Sequence, residues 1–171
     1  MKEPVRRLTF AAVTAAAYVC LTLAAAPISF GPLQLRIAEV LCILPFFIPC
    51  AGWGLFAGCI IANLIGGAGI PDVVFGSAAT LAAAFATSAI KNRPLACLPP
   101  ALINGLVVGA VLAKMYSPDA FSQAFLLYSA QVFAGEALVL YALGLPLMYV
   151  LPKIKAFTQL QKSLGRAKEK K

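Results

Sequence analysis

The sequence predicts an all-α membrane protein of six transmembrane helices with both termini in the cytoplasm. Three observations carry that expectation. Of 171 residues, 61% are hydrophobic and only 12% charged, against roughly 25% charged in an ordinary soluble domain. The uncharged runs are 8–35, 40–71, 73–90, 94–113, 120–135 and 137–152. Several of them reach the ~18–20 residues that cross a hydrocarbon core of roughly 30 Å. The basic residues gather at Lys2, Arg6 and Arg7, at Lys91 and Arg93, and from Lys153 to Lys171, which is the pattern of cytoplasmic membrane flanks. In a soluble protein the net charge of +8 would raise nucleic acid as a partner. Here the flanks account for it, and the expected surroundings are a lipid bilayer at the cell membrane, with no nucleic acid.

The first span is expected over about Leu8–Ala25. Basic residues precede this apolar run, but its length and the lack of a clear cleavage site read as a retained helix rather than a signal peptide. Ala11/Ala15 and Ala12/Ala16 form small-xxx-small pairs, a smooth stripe that lets another helix approach closely; a plain alanine-rich helix is the other reading. Pro27, Gly31 and Pro32 then force the chain out of the helix.

Residues 37–66 admit one long span or two short ones divided at Pro45–Gly54, where two prolines and two glycines favour a reversal. Charge decides between them. Two short spans place twelve basic residues inside and two, Arg36 and Lys114, outside, whereas one long span leaves four inside and ten outside. The remaining spans follow at about 72–90, 95–114 and 121–151. The last is too long to cross straight and should tilt, protrude or bend near Gly144 and Pro146. Connections 26–36, 66–71 and 115–120 face outward. Residues 1–155 make one transmembrane domain and 156–171 a basic cytoplasmic tail, expected as a frayed helix near anionic lipid. No inverted internal repeat is visible.

Four ionisable residues remain at or within membrane depth: Arg36, Glu39, Asp72 and Glu136. Intramembrane charge costs several kcal/mol and marks function by default. Glu136 lies near mid-depth, in a layer shared with Asn104, while Gln131 is more than one turn further out. Each has a plainer reading. Arg36 and Glu39, three apart, could form only an interfacial salt bridge; Asp72 could serve a helix N-terminus; Asn104 and Gln131 could be interhelical glue. Several outward-facing carboxylates and amides, with Phe30, Phe75, Tyr128 and Phe133 near them in sequence, suit a planar polar ligand.

The chain has no histidine, and its five cysteines form no CxxC pair, which excludes a thiolate–imidazole metal site and a Cys–His nucleophile. It has no Gly-x-x-x-x-Gly-Lys loop to cradle ATP. An enzyme is therefore not expected, and no cofactor is expected in this chain. A pocket without an engine implies a partner.

The run Ile28-Ser29-Phe30-Gly31-Pro32-Leu33-Gln34-Leu35-Arg36-Ile37-Ala38-Glu39, followed by Leu44-Pro45-Phe46-Phe47, resembles the QueT family. Cys59-Ile60-Ile61-Ala62-Asn63-Leu64-Ile65-Gly66-Gly67 and Pro71-Asp72-Val73-Val74-Phe75-Gly76-Ser77 are similar to it as well. The resemblance covers roughly residues 5–155. It implies a six-helix, S-component-like bundle, the substrate-binding part of an energy-coupling-factor (ECF) importer for queuosine precursors, with a first external loop that lids the site. It also implies a transmembrane T component, docked on the small-residue face of the first helix, and two ATPases that use the ATP.

A 7-deazaguanine presents two adjacent N–H donors that match one carboxylate, and a carbonyl that needs an amide or arginine donor. The expected ligand-binding set is accordingly Gln34, Arg36, Glu39, Asp72, Asn104, Gln131 and Glu136. Glu136 takes the pairing edge, Asn104 or Gln131 the carbonyl, Glu39 or Asp72 an aminomethyl ammonium, and Arg36 holds the lid. Ala11, Ala12, Ala15 and Ala16 form the docking stripe. A different vitamin-like ligand, or a structural membrane subunit, are the alternatives.

Overall fold

The architecture follows from where proline and glycine interrupt an otherwise continuous helical chain. A computed structural model describes residues 3–30 and 35–164, and among them there are helices and turns but no strand. Helix α1 runs Glu3–Ala24 and a short helical turn Ala26–Ser29 follows it. Helix α2 spans Ile37–Phe47, α3 Ala51–Gly66, α4 Asp72–Ala89, α5 Arg93–Tyr116, α6 Pro118–Lys153 and α7 Lys155–Leu164. Four of these, α1, α4, α5 and α6, are long and apolar enough to cross a membrane; α2 and α3 are shorter apolar helices.

Proline chemistry shapes α2. Pro45 cannot donate to the carbonyl four residues back, and the helix is 3₁₀ from Ile37 to Ile43 before an α turn closes it at Leu44–Phe47. The reversal favoured for Pro45–Gly54 is found at Ile48–Cys50, between α2 and α3. Helix α3 stops at Gly67, whose φ of 72° is left-handed, the conformation glycine adopts without steric cost. The bend expected in the last span is a π turn, Leu140–Gly144, just before Pro146. The proline frees a carbonyl of that turn, and the widened ladder absorbs it. A second π turn, Asp72–Gly76, opens α4.

Contacts fix the direction of each helix. A Cβ at Gly54 would lie 2.3 Å from the Ala11 carbonyl oxygen, and one at Gly58 would lie 2.9 Å from that of Ala15. Residue numbers rise together on α1 and α3, so these two run parallel at nearly backbone contact, with α2 returning between them. Gly52 meets Ala84 while Asn63 meets Gly76, and Gly105 meets Phe133 while Gly109 meets Ser129. Numbers rise on one helix as they fall on the other, so α4 opposes α3 and α6 opposes α5. The chain therefore traverses the bundle in alternating directions. The start of α1 and the end of α6 share one end, which we call the base; Phe30, Arg36, Gly66 and Asp72 lie at the other, the rim. The main apolar core sits toward the base and includes Tyr18, Ile43, Phe47, Cys97, Leu140 and Met148.

Helix α7 starts at the boundary expected for a tail but packs against the bundle. Phe157 and Leu160 lie on the core, the Phe157 ring meets Phe47 edge-on at 5.4 Å, and Leu164 is buried. Residues 165–171, the rest of the expected basic tail, lie outside the described residues.

Candidate functional site

The polar residues of the bundle are collected rather than scattered. Arg36, Glu39, Asn63, Asp72, Asn104 and Glu136 are each at most 4% exposed, in a protein whose surroundings are alanine, glycine and branched aliphatics. Arg36 precedes the first turn of α2, and its Nη2 donates to Asp72 Oδ2 at 2.8 Å. The other Nη rests 3.9 Å from Cys59 Sγ. Asp72 comes into range because α4 begins with a π turn directly after Pro71. The Arg36–Glu39 salt bridge admitted by their spacing does not form. Residues three apart within a 3₁₀ helix are eclipsed, which sets Cys42 beside Glu39, whereas Arg36 is the extended residue before the helix (φ −85°, ψ 98°) and points elsewhere.

Glu39 is held from two sides. Tyr18 Oη on α1 donates to Oε1 at 2.5 Å and Cys42 Sγ donates to Oε2 at 2.8 Å. Across the bundle, Asn104 Nδ2 on α5 donates to Glu136 Oε1 on α6 at 2.8 Å. Helix α6 packs against the 3₁₀ segment of α2 that carries Glu39, so the two halves sit on facing elements of one bundle. Asn63 closes the rim side, donating to the Asp72 carbonyl at 3.2 Å.

Several buried polar atoms of this unit have no partner: Arg36 Nε, Asn63 Oδ1, Asp72 Oδ1, Asn104 Oδ1 and Glu136 Oε2. An unsatisfied buried polar atom costs about 1–3 kcal/mol, so five in one region are expensive unless something else meets them. Most are acceptors. The formal charge is also unbalanced, since Asp72 offsets Arg36 while Glu39 and Glu136 face no further cation among the described residues. The chemistry that would complete the unit is a donor-rich, cationic molecule.

The described ends of the first connection are tied to each other and to the rim. Leu35 N–H donates to the Ile28 carbonyl at 3.0 Å, and the Phe30 ring occupies the space where a Cβ on Gly66 would be, 2.1 Å from it. The Arg36 guanidinium sits 5.8 Å from the Phe30 ring centre. Gln34 lies outside the described residues.

Not every expected residue joins the unit. Gln131 has a buried Oε1 without a partner, but at about 100° per residue it is roughly 140° round α6 from Glu136, and it bonds to none of the others. Phe75 is exposed and lines an apolar surface groove with Leu106, Val107 and Lys114. Tyr128 pairs with Tyr116 at 6.3 Å, and Phe133 packs on Gly105. Of the four aromatics, Phe30 alone contacts a charged member of the unit. Conversely, Tyr18, Cys42 and Cys59 were not anticipated. The signal for Tyr18 was present: Thr14, Tyr18 and Thr22 recur every four residues and are all buried.

The alanine stripe divides. Ala11 and Ala15 back onto Gly54 and Gly58 within the chain, while Ala12 and Ala16 are exposed. All four line an open apolar groove of about 650 Å³ with Val19, Trp53 and Ala57.

Together these features define a helical membrane protein built around a buried polar unit, with a surface groove of small residues on one side. No curated protein and no solved structure matched the chain. The family model described as QueT transporter matches residues 8–153. The chain belongs to that family, the S-component family for queuosine precursors.

Proposed function

We propose that this chain is the membrane-embedded substrate-binding component of an ECF-type importer, taking a 7-deazaguanine precursor of queuosine from outside the cell membrane. The observation that carries the reading is the set of unpartnered acceptors on Asp72, Asn63, Asn104 and Glu136, buried beside two carboxylates that lack countercharge. In this reading all six apolar helices span the membrane, the base is cytoplasmic, and the rim opens outward.

The geometry supports a division of labour. Asn104 fixes the Glu136 carboxylate through one amide proton. This leaves Oε2 and the second lone pair of Oε1 for the two adjacent N–H donors of the pairing edge. The second proton of Asn104 Nδ2 is then available for the ligand carbonyl. Asp72 is occupied by Arg36, so an aminomethyl ammonium falls to Glu39. The Arg36–Asp72 pair, with Phe30 seated on Gly66, holds the loop down as the lid. Gln34 is adjacent in sequence to that closure, and Gln131 could reach the ligand only through a different rotation of α6.

The chain carries no ATP-binding loop, so energy comes from partners: a transmembrane T component docking on the exposed Ala12 and Ala16 face, with Ala11 and Ala15 behind it, and two ATPases. No chemical conversion of the ligand is involved.

Native mass spectrometry of the protein extracted from its own membranes tests this reading. A bound deazapurine, together with a T component and ATPases, is the expected result. A different bound vitamin would redirect the ligand assignment. An absence of both ligand and partners would overturn it in favour of a structural subunit.

A further inference from the structure

The feature that a ligand-binding reading leaves unexplained is the hydrogen bond from α1 to Glu39. Other polar side chains of α1 satisfy themselves locally: Thr14 donates to the Phe10 carbonyl and Thr22 to the Tyr18 carbonyl. Tyr18 is fully buried and instead sends its hydroxyl across to a carboxylate 21 residues away. With Cys42 on the other oxygen, Glu39 is gripped by two neutral donors, one on each oxygen. A carboxylate oxygen has two lone pairs, so each keeps one for a ligand. Neutral donors stabilise the anion without neutralising it, whereas an arginine in their place would cancel the charge. The built device is thus a pre-oriented carboxylate held on both oxygens by neutral groups, with no cation paired to it among the described residues.

We infer that Tyr18 is the positioning residue that sets selectivity for a cationic ligand, by holding Glu39 as an aimed, uncompensated anion, with Cys42 as its second support. The inference rests on the proposed reading of Glu39 as the group that meets the ligand's ammonium. Tyr18 touches no ligand itself. Its position on α1 means that the helix bearing the Ala12–Ala16 face also carries the support for Glu39, so displacement of α1 changes the grip on the ligand.

The test compares two probes on purified protein in lipid nanodiscs: 7-aminomethyl-7-deazaguanine, a cation, and 7-cyano-7-deazaguanine, its neutral counterpart. The wild type should favour the cation. Tyr18→Phe keeps the ring and removes one hydrogen bond to a charged group, so affinity for the cation should fall roughly tenfold to a hundredfold, with the neutral probe changed by less than about threefold. Cys42→Ala should lower the same ratio and Cys42→Ser, which keeps a donor, should restore it. On a Glu39→Gln background, Tyr18→Phe should have no further effect on the ratio. Equal losses for both probes would reduce Tyr18 to a packing residue and overturn the assignment, as would additive losses in the double variant. A wild type that binds neither probe overturns the ligand reading, and this assignment with it. Binding with a ratio untouched by Tyr18→Phe overturns the assignment alone.

Discussion

Arg36 and Asp72, 36 residues apart in the chain, form a buried ion pair at 2.8 Å that ties the end of the first connection to the first turn of α4. Neither side chain is more than 5% exposed. Breaking one side of such a pair leaves a buried charge alone and costs about 3–5 kcal/mol. Asp72→Asn is therefore expected to lower thermal stability in detergent strongly, while Arg36→Met combined with Asp72→Leu recovers much of the loss. Recovery of stability without recovery of ligand binding would give the charged pair a role in binding beyond holding Arg36 against α4.

Glu136 and Asn104 make the second prediction. Glu136→Gln replaces a charged acceptor by an amide, and hydrogen bonds to charged groups contribute about 1.5–3 kcal/mol each. A loss of at least tenfold in deazapurine affinity is expected by isothermal titration. Asn104→Ala should weaken binding as well, by freeing the Glu136 carboxylate from its fixed orientation. Thermal midpoints measured without ligand should fall less than affinity does, because the unliganded protein already leaves Glu136 Oε2 unpartnered.

Gly66 offers a way to lift the loop without touching a charge. Its missing Cβ is the seat of the Phe30 ring, and overpacking of this kind costs about 1–3 kcal/mol. Gly66→Ala should raise the ligand off-rate in stopped-flow measurements, and Phe30→Ala in the same background should add little. Independent, additive effects would show that the ring and the glycine act separately.

The two faces of α1 should separate cleanly. Gly54→Val drives a side chain into the Ala11 carbonyl and should destabilise the bundle. Ala16→Leu adds bulk to an exposed groove wall and should leave both melting and ligand affinity near wild type. Uptake into cells and co-purification of a T component should nevertheless fall. Unchanged uptake in Ala16→Leu would remove the docking role from this face.

Much of this arrangement was legible in the amino-acid sequence, and the reasons are physical. Long uncharged runs, and the prolines and glycines between them, placed the helices, because lipid forbids irregular exposed backbone. The few charges that separate those runs at membrane depth, Arg36, Glu39, Asp72 and Glu136, stood out as candidates because a charge there is costly. Partner choice was not legible. Arg36 is three residues from Glu39 yet bonds to Asp72, and this depends on a 3₁₀ helix and a π turn that no propensity rule announces. Helix rotation was not legible either: Phe75 lines an exposed groove, and Gln131 lies roughly 140° round α6 from Glu136. Tyr18 was overlooked because buried tyrosines are common in apolar helices, although its four-residue spacing from Thr14 and Thr22 marked a polar stripe on the Ala11 and Ala15 side of the helix, away from Ala12 and Ala16.

The shortness of α2 carries a consequence for how the base of the bundle is covered. Seven 3₁₀ residues and four α residues make a helix about 20 Å long, well below a hydrocarbon thickness of roughly 30 Å. From Glu39 to Phe47 the drop is only about 14 Å by the same rises. At its foot the Phe157 ring packs edge-on against Phe47, and Leu160 of α7 lies on the same core, so α7 adds at the base the depth that α2 lacks. The lower end of α2 is therefore shielded by the chain's own last helix, and loss of Phe157 would uncover Phe47.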